Sequence, residues 1–213
     1  MAEEYGNGKI GEIIEACTTD FVAQCYELYQ SPSLGCLVKT RGDNNTGQPG
    51  SGTQIYGIVS KVLTTGMEPG RRPIARGKGE LNEDEIYRSS PQLYKLLKSE
   101  FNVLVVGYGN GDRVFQHLPP RPARIHGFVH LCDAEEIRQF SQSFDFLNIL
   151  LKARMDIGVE ELVGASLREI SRVYGGQRHA FLVGAGKELA TLLSRDYNQL
   201  KAILKGLKYD AIE

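Results

Sequence analysis

The spacing of apolar residues changes once along this chain, near residue 132, and that change sets the fold class. Before it come short runs rich in Val, Ile, Leu and Phe: KIGEIIEAC (9–17), FVAQCYEL (21–28), LGCLVKTR (34–41), QIYGIVSKVL (54–63), FNVLVVGY (101–108), RVFQHL (113–118) and IHGFVHLC (125–132). Turn-forming stretches lie between them, namely SPSLG, GDNNTGQPGSGT, GNGD and PPRP. Many short strands at this spacing predict a small antiparallel barrel or sandwich, not a βαβ fold. Glycines inside the runs, Gly11, Gly35, Gly57 and Gly127, suit the bulges and sharp bends of barrel corners.

After Cys132 the period is helical. Asp133 followed by Glu136 has the form of a capping box. Ile137, Phe140, Phe144, Leu147, Leu151 and Met155 then recur at three-to-four spacing. Phe146, Ile149 and Leu150 widen that stripe, which predicts one helix buried on much of its circumference. Val159, Leu162, Val163, Leu167, Ile170 and Tyr174 continue the pattern until Gly175-Gly176 stops it. Leu182, Ala185, Leu189 and Leu193 make a further helical face, and a last helix is predicted from the N-cap Asp196, with Tyr197, Leu200, Leu204 and Leu207 together. The expected class is α+β: an antiparallel β-barrel over residues 1–131, then a small helical domain over 132–213.

Two glycine-rich stretches invite a cofactor reading. In LVVGYGNGDRVFQHLPP (104–120), a dinucleotide site would need a helix opening at the glycines, because its N-terminus holds the pyrophosphate. Pro119 and Pro120 follow too soon, the third fingerprint glycine is missing, and Asn110-Gly111 favours a tight hairpin turn. In FLVGAGKELATLL (181–193), a P-loop would need glycine where Phe181 stands and Ser or Thr where Glu188 stands. Both read as structural, and no cofactor is expected.

Hydrophobic residues make up 41% of the chain and charged residues 24%, with a net charge of -1, so the whole molecule does not attract nucleic acid or anionic lipid. No apolar run has the length of a membrane span, and the acidic start MAEEYGNGKIGE is unlike a secretion signal. The four cysteines, Cys17, Cys25, Cys36 and Cys132, lack close-pair spacing, and three of them sit inside β-like runs, where free cysteine acts as a small buried apolar residue. A cytoplasmic protein with reduced thiols is expected. His126, His130 and Cys132 share parity on one predicted strand and raise the thought of zinc. Residues four apart on a strand are roughly 13 Å apart, so the two histidines cannot share an ion. No Ser, His and acid stand out as a triad, and no enzyme is expected.

GMEPGRRPIARGKGELNEDE (66–85) places Arg71, Arg72, Arg76 and Lys78 before Glu80, Glu83, Asp84 and Glu85. No aromatic residue interleaves the basic ones, so base stacking has no platform there. An exposed loop or insertion is expected, solvated or used for protein docking.

The strands KIGEIIEACTTDFVAQCYEL, LGCLVKTR and QIYGIVSKVL, and later HLPPRPARIHGFVHL, together resemble the HAS-barrel, the N-terminal β-barrel of HerA-type DNA translocases and rotary ATP synthase subunits. Gly11, Gly35 before Val38, Gly57 between Tyr56 and Val59, and the proline-rich lead into Gly127 carry the resemblance over residues 9–131, with an insertion between 64 and 100. It implies assembly: such barrels pack side by side in a ring and cap an ATPase. Those relatives continue into a motor with a Walker motif, whereas a helical segment follows here. The resemblance therefore implies a stand-alone, non-catalytic barrel that self-associates as a homo-oligomer or docks on an ATPase or nuclease partner. The other expectation is a nucleic-acid-binding barrel, weak in binding given the net charge. The candidate docking or phosphate contacts are Arg71, Arg72, Arg76, Lys78, Arg113, Arg121 and Arg124.

Overall fold

The computed structural model describes residues 8–42, 53–68, 70, 72–110 and 113–207. The described strands are β1 (Lys9–Ala16), β2 (Asp20–Cys25), β3 (Leu37–Arg41), β4 (Gln54–Gly66), β5 (Leu97–Asn110), β6 (Arg113–Phe115) and β7 (Phe128–Leu131). Every pairing is antiparallel. The order β2-β1-β7-β3-β4-β5 closes through β2 and β5 into a six-stranded barrel, and β6 folds back on the end of β5 as a hairpin. Closure requires strands to bend. Register shifts at Lys9/Gly11, Ile13/Glu15, Tyr56/Gly57 and Val59/Lys61 supply the bends, two of them at the glycines that the sequence marks.

Alternation along the strands fills two different spaces. Ile13, Phe21, Val38, Ile55, Val59, Phe101, Val103 and Val129 pack together as the barrel interior. The intervening residues Leu37, Tyr56, Ile58 and Val106 are buried as well, but in a second cluster shared with Phe140, Phe146, Leu147, Leu150, Leu162 and Leu167. The helical part of the chain therefore lies over the outer face of β3, β4 and β5. Its elements are α3 (Ala134–Phe140), α4 (Phe146–Lys152), α5 (Val159–Ser171), α6 (Arg178–Leu192) and α7 (Tyr197–Leu207), and a 3-10 turn (Arg172–Gln177) links α5 to α6. Among the barrel glycines, the closest approach to a helix backbone is at Gly35, whose φ is +85°. A Cβ there would stand 2.5 Å from the carbonyl carbon of Ala165 and 2.6 Å from the nitrogen of Ser166, both in α5.

The capping box forms as the sequence predicts. Asp133 Oδ1 accepts from the backbone N–H groups of Glu135 and Glu136, and Glu136 Oε2 accepts from the N–H of Asp133, each at 2.9 Å. Glu136 Oε1 also pairs with Lys39 of β3, which pins the helix start to the barrel. Asp133→Ala is expected to cost about 1 kcal/mol and to lower Tm by about 2–4 °C in a thermal melt.

The expectation of one continuous helix from 137 to 155 is corrected, because α3 ends at Phe140 and α4 begins at Phe146. Gln116 holds the break open. Its Nε2 donates to the carbonyls of Phe140 (2.5 Å) and Ser143 (2.9 Å), and its Oε1 accepts from the N–H of Phe146 (2.8 Å). Backbone groups that a helix would have paired are satisfied by one side chain instead. Several predicted runs also shorten: β2 ends at Cys25 rather than 28, β3 starts at Leu37 rather than 34, β6 stops at Phe115, and β7 starts at Phe128 rather than 125. The 66–85 stretch is mostly exposed, yet its end enters α1 (Glu83–Ser89), which Asn82 caps by accepting from the N–H of Glu85; α2 (Leu93–Leu96) follows. Neither short helix was expected.

Candidate interaction surfaces

Beside the helical cover, the outer face of β1, β7 and β3 carries a row of basic residues. There the pairing places Lys9 of β1 and Lys39 of β3 directly opposite His130 of β7, one on each side. Directly paired residues point to the same face, so the three make one row across three strands. Arg41 and Phe128 lie two residues further along their strands and share that face. Phe128 is 44% exposed, and Lys9 Nζ sits 4.0 Å from its ring centroid, a cation–π contact. Burial, then the charges of Lys39, Arg41 and Lys9, pulls His130 below the ordinary imidazole value. At neutral pH the row's positive charge therefore rests on Lys9 and Arg41, Lys39 being paired with Glu136 of α3. At its edge Glu12 accepts from Tyr26 (3.1 Å) and contacts His126 Nδ1 (2.5 Å), and these hydrogen bonds, that from His126 first, hold its carboxyl below the usual value.

The residues singled out in the sequence fall in two places. Arg71 lies outside the described residues. Arg72, Arg76 and Lys78 are exposed on the insertion that hangs from the Gly66–Leu97 end of the β4–β5 ladder. Arg113 stands at the other end, paired with Asn110. Arg121 and Arg124 flank Ala123, which bridges to Gly42 beside β3 and β4. Between the two ends runs the length of β4, roughly 40 Å of strand, so these cations do not form one patch. Lys9, Lys39 and Arg41 went unnoticed because strand pairing, not chain position, unites them. The available signal was the shared parity of Lys39 with Arg41 and of Phe128 with His130.

The insertion is braced at its base by aromatic rings. Tyr87 of α1 meets Tyr29 edge-on, with ring centroids at 6.1 Å and the two hydroxyls hydrogen-bonded, and it packs on Tyr94 at 5.3 Å. Beside them a cleft of about 150 Å³ opens between Leu93, Leu96, Leu97 and Ile74, with Arg72 and Arg76 also lining it.

Three of the thiols, Cys25, Cys36 and Cys132, are poor nucleophiles in this setting. Burial pushes Cys25 up to about 11; burial and then Glu169 push Cys36 to about 11; and Cys132 is raised well above its usual value, chiefly by burial. The one-strand arrangement of His126, His130 and Cys132 is also corrected. His126 stands off the strand in a turn, at φ +63°. Among the described residues no three His, Cys, Asp or Glu gather closely enough to hold a metal, and no helix is long and apolar enough to cross a membrane.

No family model and no curated protein matches the chain.

Proposed function

We propose that this chain is a non-catalytic assembly or adaptor protein, self-associating or docking on an ATPase- or nuclease-type partner, and that the β1–β7–β3 face of its barrel is a docking surface. One observation carries this reading: Phe128, an exposed aromatic, stands with Lys9 and Arg41 beside the helical cover, whose α3 is tied to the same row by the Lys39–Glu136 pair. Aromatic and arginine side chains are the usual anchors of protein interfaces. The HAS-barrel resemblance supports the same role, since barrels of that family neighbour one another in a ring.

The test is affinity purification of the full chain beside Phe128→Ala and Arg41→Glu. Phe128 is already half in solvent, so its truncation is expected to change stability by less than about 1 kcal/mol. Loss of the co-purifying partner with an unchanged melting curve supports the reading. A partner retained by both variants removes this face from consideration.

The same combination of ring and cations also favours a second reading, a weak single-strand nucleic-acid platform, because stacking needs an exposed π-face beside positive charge. Binding of a short oligonucleotide through two or three of these cations gives a slope of log K against log salt of roughly −1.4 to −2. A slope near zero excludes phosphate contacts.

A further inference from the structure

Among the described residues, seven of the sixteen exposed large apolar side chains fall between 62 and 96, on the end of β4 and the insertion that follows it. Scattered singly, such residues mean little; concentrated on one projecting element, they mark a contact surface. Leu81 is the extreme case at 92% exposure, with Ile74 at 74%. Leu81 sits just ahead of α1, between Glu80 and the first-turn acids Glu83, Asp84 and Glu85. The cleft of about 150 Å³ belongs to the same insertion. That is the size at which an apolar cavity admits a group as large as benzene. Its floor is Leu93, Leu96 and Leu97, and its charged lining is Arg72, Arg76 and the acid Glu68.

The insertion thus carries a greasy projection set in negative charge and a greasy recess whose lining holds two cations and one acid. We propose that Leu81 of one copy seats in the Leu93–Leu96–Leu97 cleft of a second copy, while Arg72 and Arg76 at the cleft meet the acids flanking that leucine. Each copy supplies both parts, and the assembly proposed is the reciprocal one, in which both contacts form at once and close a two-fold dimer. Apolar burial supplies the attraction, and the charges fix the orientation and reject a parallel arrangement that would set like against like. This deepens the assembly reading and rests on its self-association half. It engages a different surface from the Phe128 face, which stays free for another partner.

The experiment measures the mass of the full chain by light scattering or sedimentation at micromolar concentration. Wild type is expected to be a dimer. Leu81→Asp is expected to weaken it by at least about 30-fold, as loss of a central anchor does. Leu81 touches so little of its own chain that the fold, followed by circular dichroism, is expected to be unaltered. Two charge-reversed variants make the test specific. Arg72→Glu with Arg76→Glu makes the cleft edge acidic, and Glu83→Lys with Asp84→Lys makes the projection basic. Each alone is expected to be monomeric, and an equal mixture is expected to form the mixed dimer, because both contacts are then attractive again. A dimer that survives Leu81→Asp, or reversed variants that fail to pair on mixing, overturns this seat while leaving self-association standing. A monomeric wild type overturns the seat and self-association together, and the adaptor role is then judged on the Phe128 face by partner capture.

Discussion

Gly35→Ala is expected to lower folding stability by about 2–5 kcal/mol, more than any other single methyl group added to this barrel's surface is expected to cost. Two effects add. At φ +85° a side chain strains the backbone wherever it is placed, and here the added Cβ would also run into the main chain of α5 at Ala165 and Ser166. Main-chain atoms cannot rotate aside as a flexible side chain can, so the helix itself has to move off the barrel. Gly70 separates the two effects. Its φ is +79°, but nothing lies within 4 Å of where its Cβ would be, so Gly70→Ala feels the backbone strain alone. Urea unfolding of both variants measures the difference: a midpoint for Gly35→Ala no lower than that of Gly70→Ala would mean that α5 does not rest on this residue.

Truncation after Cys132 is expected to yield a barrel that is insoluble or aggregated. The cut bares Leu37, Tyr56, Ile58 and Val106, all at most 5% exposed in the intact chain. Burial of Leu37, Ile58 and Val106 alone is worth about 5–9 kcal/mol at 1.5–3 kcal/mol for each side chain. That is comparable with the whole stability of a typical domain, about 5–15 kcal/mol. The bared residues also lie on adjacent strands and so make one contiguous patch. Size-exclusion chromatography of the fragment and calorimetry of the full chain check this together. The fragment is expected in the void volume, and the full chain is expected to melt in one transition. A monodisperse fragment that unfolds cooperatively would show that the barrel stands without its helical cover.

The strands were legible because each carries its signal locally. β-branched residues alternate, glycines mark bends, and proline or asparagine marks turns, so all seven strand positions could be read from the residues within them. The capping box at Asp133 was legible for the same reason, since both partners lie three residues apart. What escaped was set by distant neighbours. The stripe from Ile137 to Met155 has helical spacing throughout, and the break within it exists because Gln116, some thirty residues earlier, occupies its backbone groups. The row of Lys9, His130 and Lys39 needs three strands brought together, and nothing near any one of them announces the other two. The arginines that do cluster in the sequence, by contrast, are held apart by the length of a strand. Alternation also could not say that Tyr56 and Ile58 face helices rather than water; it shows two faces but not what covers each.

Gly66 and Leu97 are direct partners in the β4–β5 ladder, so the thirty residues between them leave the barrel and return at a single rung. A segment tethered in this way can be lengthened, shortened or rewritten without altering the strand register beneath it. Selection can therefore rewrite this outlying surface while the barrel that carries it stays the same.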